Sequence, residues 1–468
     1  MTLIRPQAIP SPASLGRLHF IAMGGAGMSG VAAGYLARGM TVSGCDQADS
    51  DTLRHLATAG AVVSVGHDPA HIAGADTVVV SSAIRPDNPE VLEAGRRGVP
   101  VIHRSLALAS LMTGCRVTAV AGTHGKTTTT AMCVAVLEAA HRDPSYVIGG
   151  TLLASGLGSH MGTGADFVVE ADESDGSFLQ YPTTVAVVTN IEADHLDNWG
   201  TVEHYAQGFE EFAAGETVST VIVDIDDPGA ARLAGSLGRF GHPVVTYGES
   251  DRADVRLTEL ALGPGTASAV LRTGDWAAPL TLAVPGVHNL HNAAAALCVA
   301  ETIGADRGDV LAGLAGFRGT ARRFQIVGSA RGVTVVDDYA HHPTEVAATI
   351  RAARSLAGAG RVIVCFQPHL FTRTRDFADA FGAVLAQADE AVVLDVYPAR
   401  EDPIPGVTGE LVADAVRAHG GSVRYVPQLE DAADALACQS SPGDVVLTVG
   451  AGSVTQVAPR LLAALEAG

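Results

Sequence analysis

The sequence predicts an α/β protein of three domains: an N-terminal Rossmann-like domain, a central P-loop-type ATPase sheet with an antiparallel portion, and a C-terminal Rossmann-like domain. Three observations carry this reading. Short, almost continuously apolar runs alternate with helical stretches at both ends of the chain, the pattern of parallel strands covered on both faces. Glycine-rich turns follow two of those runs, in "MGGAGMSGVA" from Met23 and in "AGTHGKTTTT" from Ala121. The length of 468 residues suits about three domains of roughly 150 residues each.

The first block, residues 1–112, opens with an arm, 1–15, that carries Pro6, Pro10 and Pro12 and no apolar signal-peptide core. The arm reads as flexible. "LHFIAMG", "TVSGCD", "AVVSVGH", "DTVVVSSA" and "VPVIHR" then read as strands. Gly25, Gly27 and Gly30 fit G-x-G-x-x-G between the first strand and a helix, and Asp46 ends the second strand. That is the dinucleotide fingerprint with its ribose-binding acid. A dehydrogenase is one reading of it, and a clamp for a different diphosphate is another.

The second block, 113–325, runs from "CRVTAVAG" through a helix from Thr127 to about Ala140. "DFVVEADES", "VAVVTNIEADH" and "STVIVDIDD" follow as strands with polar residues at their C-terminal ends. "DVRLTELALG" and "SAVLRTGDWAAPLTLAVPG" alternate around Gly and Asp turns, which predicts antiparallel pairing. A helix from about His288 to Gly304 closes the block. The third block, 326–468, resumes βα alternation through "GVTVVDDYA", "RVIVCFQPH", "AVVLDVYP" and "DVVLTVGAGS".

Composition excludes several function classes. With 47% hydrophobic and 17% charged residues, the chain can bury large cores. No apolar run approaches the roughly 20 residues that span a bilayer, so no membrane insertion is expected and a cytoplasmic protein is. The formal charge of −20 disfavours nucleic acid as a partner. Cys45, Cys115, Cys133, Cys298, Cys365 and Cys438 lie far apart with no C-x-x-C, so zinc knuckles and redox pairs are not expected. Scattered thiols in apolar segments read as reduced core residues.

The strongest chemical signal is the second glycine turn. Gly122, Thr123, His124 and Gly125 lie between a strand and a helix opened by Lys126, Thr127 and Thr128. Such a turn aims backbone N–H groups at phosphate, and the helix N-terminus adds positive potential. Lys126 is placed to reach the β/γ-phosphates and the Thr127 hydroxyl to ligate Mg²⁺. The strict phosphate-loop pattern is broken, because Val120 stands where its first glycine belongs. Mg²⁺ needs hard oxygen ligands. "VEADESDGSF" offers Glu170, Asp172, Glu173 and Asp175, and "TNIEADHLD" offers Glu192, Asp194, His195 and Asp197. Solvated acidic loops are the bland alternative for each stretch. Together, at neighbouring strand ends, they point to metal and substrate duty.

In order along the chain, "FIAMGGAGMSGVA", "AGTHGKTTTT", "VEADESDGSF", "TNIEADHLDNWG", "PGVHNLHNAAAA", "GTARRF", "VVDDYAHHPTE", "FQPHLFTRTRDF", "VYPAREDPIPG" and "LTVGAGSV" resemble segments of the Mur ligases, which build the peptide stem of bacterial peptidoglycan. The resemblance covers the chain beyond the arm and is strongest to the branch that adds alanine. It implies an ATP-dependent ligase that joins the lactyl carboxylate of UDP-N-acetylmuramate to L-alanine through an acyl phosphate. The implied partners are those small molecules, with ATP as co-substrate and Mg²⁺ as cofactor. A homodimer stays open. The resemblance also resolves the first glycine loop. Gly25, Ala26, Gly27, Met28 and Ser29 would present N–H groups to the uridine diphosphate. Asp46 would face the ribose or uracil, and His67, Ser81 and Ser82 would supply further contacts.

The implied catalytic set is Lys126, Glu173, His195 and Arg373. Thr127, Glu173 and His195 would hold metal, and Asn292 would contact adenine with His288 and Asn289 nearby. Arg322 would reach ATP across the domain boundary, and Arg323 is read as structural. Asp338, Tyr339 and His341 would face the ribose and γ-phosphate, and His369, Arg373 and Arg375 the acceptor. Which arginine holds the alanine carboxylate stays open. Related ligases use a carbamylated lysine as a metal bridge, but "VEHYAQGFEEFAAGE" contains no lysine, so that device is absent there. The rivals are a tripeptide-adding recycling ligase, a folylpolyglutamate synthase, a dehydrogenase and a silent nucleotide-binding regulator.

Overall fold

The computed structural model of the chain describes residues 3–238, 241–399 and 401–467, apart from the side chains of Ala26 and Asp197. They form two compact units. One comprises Met1–Thr258, Val270–Leu280 and His291–Phe317; the other comprises Glu259–Ala269, Thr281–Leu290 and Arg318–Gly468.

The first sheet holds β1 (Leu18–Ile21), β2 (Val42–Asp46), β3 (Val62–Val65), β4 (Thr77–Val80) and β5 (Val101–His103), in the order β3-β2-β1-β4-β5. Every pairing is parallel. This is the order of a doubly wound sheet, whose ligand crevice opens where the order reverses, beyond the carboxyl end of β1. The glycine loop and the helix Ala26–Ala37 lie there.

The central sheet contains β6 (Arg116–Ala121), β7 (Ser145–Val147), β8 (Ser159–His160), β9 (Asp166–Glu170), β10 (Val185–Val188), β11 (Thr220–Asp224), β12 (Val244–Gly248), β13 (Val255–Gly263), β14 (Thr266–Thr273) and β15 (Trp276–Leu282). Their order is β15-β14-β13-β12-β11-β10-β6-β9-β7-β8. The strand β6 lies between β10 and β9, parallel to both, so the turn after β6 and the two acidic segments emerge at one sheet edge. Turns of two residues join β13 to β14 and β14 to β15, a length that only antiparallel neighbours accept. The short strands β7, β8 and β12 carried no signal read from the sequence.

The third sheet holds β16 (Gln325–Ala330), β17 (Val333–Asp338), β18 (Val362–Phe366), β19 (Glu390–Val393), β20 (Val423–Tyr425) and β21 (Val445–Val449), in the order β16-β17-β21-β18-β19-β20. It is parallel apart from β16, which pairs antiparallel with β17. The strands β16 and β20 were not anticipated.

In the first unit one apolar core runs from Phe20 and Tyr35 through Val117 and Phe167 to Phe178 and Phe209, so the first two sheets are packed as one body. Each such side chain contributes about 1.5–3 kcal/mol by leaving water. The arm expected to be loose is docked on this unit. Ile4 N donates to Asp175 O at 2.8 Å, and Gln7 exchanges two hydrogen bonds with the Gln180 side chain. Leu15 at its end is buried, so apolar contact and paired backbone hold the arm where its prolines suggested freedom. No described helix is long and apolar enough to cross a membrane. All six cysteines are free, yet only four are buried; Cys115 is half-buried and Cys438 exposed, which corrects the expectation of core residues throughout.

Candidate active site

The phosphate loop is held by its neighbours on the sheet. Gly122 has φ +137°, and a Cβ there would lie 2.0 Å from Thr189 Oγ1, so only glycine fits. Thr189 Oγ1 and Asn190 Nδ2 both donate to His124 O, and His124 N donates to Asn190 Oδ1 at 2.8 Å. Thr123 Oγ1 donates to Glu192 O and accepts from Glu192 N, each at 2.9 Å. These bonds tie the loop after β6 to the segment after β10. Gly125 caps the helix Lys126–Ala139 with φ +82°. The first amides of that helix have no intrahelical acceptor, which equips the turn for an anion. Thr127 is buried and Thr128 half-buried in this first turn.

Lys126 Nζ donates to Gly122 O at 2.6 Å, to Thr123 O at 3.2 Å and to Glu173 Oε1 at 2.9 Å. Glu173 Oε2 also lies 2.8 Å from Nζ, but outside hydrogen-bond geometry, which leaves this fully buried oxygen unbonded. Burial works against the lysine charge. Glu173 and Asp172 outweigh it and hold the ammonium above its usual range. His195 Nε2 is 3.9 Å from Glu173 Oε1. His195 has φ +52°, a conformation rare outside glycine, and strain of this kind concentrates at functional sites. Its N donates to Asp194 Oδ1 at 2.7 Å. Behind Glu173 stands an aromatic cluster. Phe178 and Phe212 stack at 5.1 Å, Trp199 meets Phe178 and Tyr205 edge-on, and Trp199 Nε1 donates to Glu173 O at 2.9 Å.

The fit of a hard cation can be judged from these donors. A buried carboxylate oxygen without a hydrogen bond, on a residue tied to Lys126 next in sequence to the buried Thr127, suits Mg²⁺. The imidazole of His195 is a softer donor at the same loop. Asn292 Oδ1 accepts from Thr129 Oγ1 at 3.0 Å, so the expected adenine contact packs against this helix. Asn289 instead bonds Pro285 O within its own turn.

The glycine loop of the first sheet is narrower in its donors than expected. Met28 N and Ser29 N both donate to Gly25 O, so these two amides serve the helix. The amides of Ala26 and Gly27 are the ones the helix geometry leaves for a ligand. The side chain of Ala26 lies outside the described residues. Asp46 Oδ2 accepts from Gly24 N at 2.9 Å, so the acid shapes the loop directly. His67 Nδ1 faces Cys45 Sγ at 3.3 Å. Ser82 Oγ donates to Asp175 Oδ2 at 2.5 Å, while Ser81 is half-buried at the end of β4.

Arg104 was missed. It opens the helix after β5, and Nη2 lies 3.2 Å from Asp172 Oδ2. A Cβ on Gly27 would come 2.8 Å from its Nη1. One guanidinium therefore stands beside both the glycine loop and the acidic loop. Burial opposes the Asp172 charge, but Arg104 and Lys126 hold that carboxyl well below the usual range. A basic residue just past a strand end was the available signal. Asn190 and Tyr205, which organise the phosphate loop and Glu173, gave none.

In the second unit the expected residues gather at the carboxyl ends of β17, β18, β19 and β21. Arg322, with φ +59°, donates to Gly450 O at 2.7 Å and lies over the Tyr339 ring. Asp338 accepts from Phe324 N and Ala340 N at 2.9 and 2.8 Å. Burial lifts its carboxyl to about 6, against the pull of Arg323 and those amides. His341, His369 and Tyr397 form a run of rings. Arg373 is buried on the helix Phe371–Leu385, whereas Arg375 is exposed and paired with Asp376.

Comparison with known proteins gives a concordant picture. Three models of the Mur ligase family match in order: the family's catalytic domain over residues 17–116, its middle domain over 120–300 and its glutamate ligase domain over 322–452. The UDP-N-acetylmuramate–L-alanine ligase of Cutibacterium acnes is 58% identical, covering 100% of this chain and 99% of its own length. That of Kineococcus radiotolerans is 55% identical over 97% of both. Among solved structures, the UDP-N-acetylmuramate–alanine ligase of Thermotoga maritima superimposes with a TM-score of 0.83 at 28% identity, covering 96% of this chain and 99% of that one. A murein peptide ligase from Psychrobacter arcticus shares the fold, with a TM-score of 0.72 at 23% identity and the same coverage.

Proposed function

The chain belongs to the Mur ligase family, and from that premise we propose how its residues divide the work. The protein is an ATP-dependent ligase of peptidoglycan precursor synthesis that joins L-alanine to the lactyl carboxylate of UDP-N-acetylmuramate. The observation that carries the reading is the convergence of Lys126, Glu173 and His195 on one phosphate loop, in a chain alike over its full length to alanine-adding ligases.

A carboxylate is a poor electrophile. Transfer of the γ-phosphoryl group to a lactyl oxygen, with cleavage of the bond to ADP, gives an acyl phosphate. The alanine amine then attacks the acyl carbon, phosphate leaves, and the amine gives up its proton. Little covalent chemistry is asked of the protein, so positioning and charge dominate. Lys126 neutralises the phosphoryl group as it moves. The amides of the first helical turn cradle the phosphates together with Gly122, Thr123, His124 and Gly125. Thr127, Glu173 and His195 would hold Mg²⁺, which would supply positive charge against the phosphates. Asn292 meets the adenine. The amides of Ala26 and Gly27, with Asp46, His67, Ser81 and Ser82, take the uridine diphosphate portion. Arg322, Asp338 and His341 are assigned to ATP, and Arg373 to the acceptor.

The test is phosphate release from ATP with Mg²⁺ and UDP-N-acetylmuramate, with L-alanine, glycine, L-serine or an L-Ala-D-Glu-containing tripeptide in separate wells. Release that needs the sugar nucleotide and is strongest with L-alanine, with the matching product by mass, supports the reading. Preference for the tripeptide moves the protein to recycling, and no release with any acceptor leaves a silent nucleotide binder. The three-domain division at 112/113 and 325/326, the cytoplasmic location and a homodimer belong to the same proposal. Limited proteolysis, fractionation and sedimentation read them in turn.

A further inference from the structure

Away from the phosphate loop, a second set of metal-type ligands closes around one point in the N-terminal domain. His19 on β1, Cys45 on β2 and Glu90 on the helix Pro89–Arg97 are all buried, and their ligand atoms lie within 4.8 Å of one another. His67, from the segment after β3, brings Nδ1 to 3.3 Å from Cys45 Sγ and 3.5 Å from Glu90 Oε2. Cys45 Sγ is 2.9 Å from Glu90 Oε2, and His19 Nε2 is 3.8 Å from that same oxygen.

The hydrogen bonding around His19 decides what this cluster lacks. Ser43 Oγ lies 2.9 Å from His19 Nδ1 and 3.4 Å from Leu18 O. When Ser43 gives its proton to Leu18 O, it accepts from Nδ1 and Nε2 carries the lone pair. Nε2 is buried, has no hydrogen-bond partner, and faces a carboxylate oxygen. In that tautomer a buried nitrogen lone pair faces a carboxylate whose one donor is the Cys45 thiol, and a cation in the thiol proton's place would satisfy all three groups.

We propose that His19 Nε2, Cys45 Sγ and Glu90 Oε2 hold a divalent metal of the zinc class, with His67 at the rim of the site. Three protein ligands leave a fourth position of a tetrahedron open, as zinc accepts. One sulfur, one imidazole and one carboxylate select Zn²⁺ or Co²⁺ over Mg²⁺. An outer layer is also present. Ser43 orients His19, while His71 Nδ1 at 2.8 Å and Asp68 N at 3.2 Å occupy Glu90 Oε1 and leave Oε2 turned inward. The side chains of His67 and His71 are 24% and 21% exposed, which supplies an entry path. Binding forms a metal–sulfur bond and releases the Cys45 thiol proton to solvent. The ion would pin β1 and β2 to Glu90's helix.

The test uses the full chain, stripped with a chelator and titrated with Co²⁺ and then Zn²⁺. The expected result is one thiolate-bound Co²⁺ per chain, read from a sulfur-to-cobalt charge-transfer band in the near ultraviolet that Zn²⁺ bleaches. Cys45→Ser should abolish the band and Cys438→Ser should leave it intact. Ser43→Ala, outside the ligand set, should keep the band and weaken affinity about 10–100-fold. A folded wild-type chain that shows no band at saturating Co²⁺ overturns the proposal. So does a band that survives Cys45→Ser or vanishes in Cys438→Ser. Should Cys45→Ser fail to fold, the wild-type titration and the Ser43→Ala shift decide alone.

Discussion

Lys126 Nζ donates to Glu173 Oε1 at 2.9 Å, and the Glu173 side chain is wholly buried, so the phosphate loop and the acidic loop hold each other's charge. Lys126→Ala is expected to lower turnover by about 10³-fold or more, the scale of losing a charge on the transferring group. UDP-sugar binding should be unchanged. It should also cost about 3 kcal/mol of stability, since Glu173 is left buried without its partner. Phosphate release, calorimetry and thermal melting read the three effects, and retained ligation would sink the ATP-loop assignment.

Asp46 Oδ2 anchors Gly24 N at the glycine loop. Asp46→Ala is expected to weaken UDP-sugar binding more than ATP binding. Equal loss of both by calorimetry would contradict the separation of the two nucleotide sites.

Arg104 stands between Gly27 and Asp172. Arg104→Met keeps much of its bulk and removes its charge. Affinity for the UDP-sugar should fall by about tenfold, near 1.4 kcal/mol, with ATP binding little changed. Unaltered sugar-nucleotide affinity would show that the guanidinium serves only Asp172.

Gly122 combines φ +137° with the closest approach to Thr189. Gly122→Ala should cost about 1–3 kcal/mol in stability from backbone strain and abolish tight ATP binding. A melting temperature equal to wild type would mean the loop relaxes freely, against this geometry.

The Asp338 carboxyl is lifted by burial from 3.8 to about 6. The folded chain therefore binds an extra proton between those values, and stability from this group falls as pH rises through that window. This group's contribution is full below about 4, where both folded and unfolded chains are protonated, and is lost as pH rises through about 6. Asp338→Asn should flatten the stability difference between pH 4 and 6. Denaturant midpoints of both proteins at four or five pH values give the slope, and an unchanged slope would place it elsewhere.

Much of the fold was legible because local pattern and tertiary need coincide. The strands β1, β4, β6, β9, β10 and β21 are continuous apolar runs that only a two-sided sheet can bury. Each was visible in the sequence. The strands β7, β8 and β20 are two or three residues long and exist by pairing alone, so no periodicity announced them. Lys126 and Thr127 were legible because a phosphate loop is local: one turn and one helix start.

What the sequence by itself determined is therefore the order of βα units, the two glycine loops and the acidic segments that follow strands. Those properties depend on neighbours along the chain. Tertiary structure alone decided that Arg104 stands between two loops and that the arm is docked. It also decided that His19, Cys45 and Glu90 share one point. Their donor atoms meet because β1 lies beside β2 and a helix folds back over both, and contacts made across a sheet leave no spacing in the chain for a reader to find.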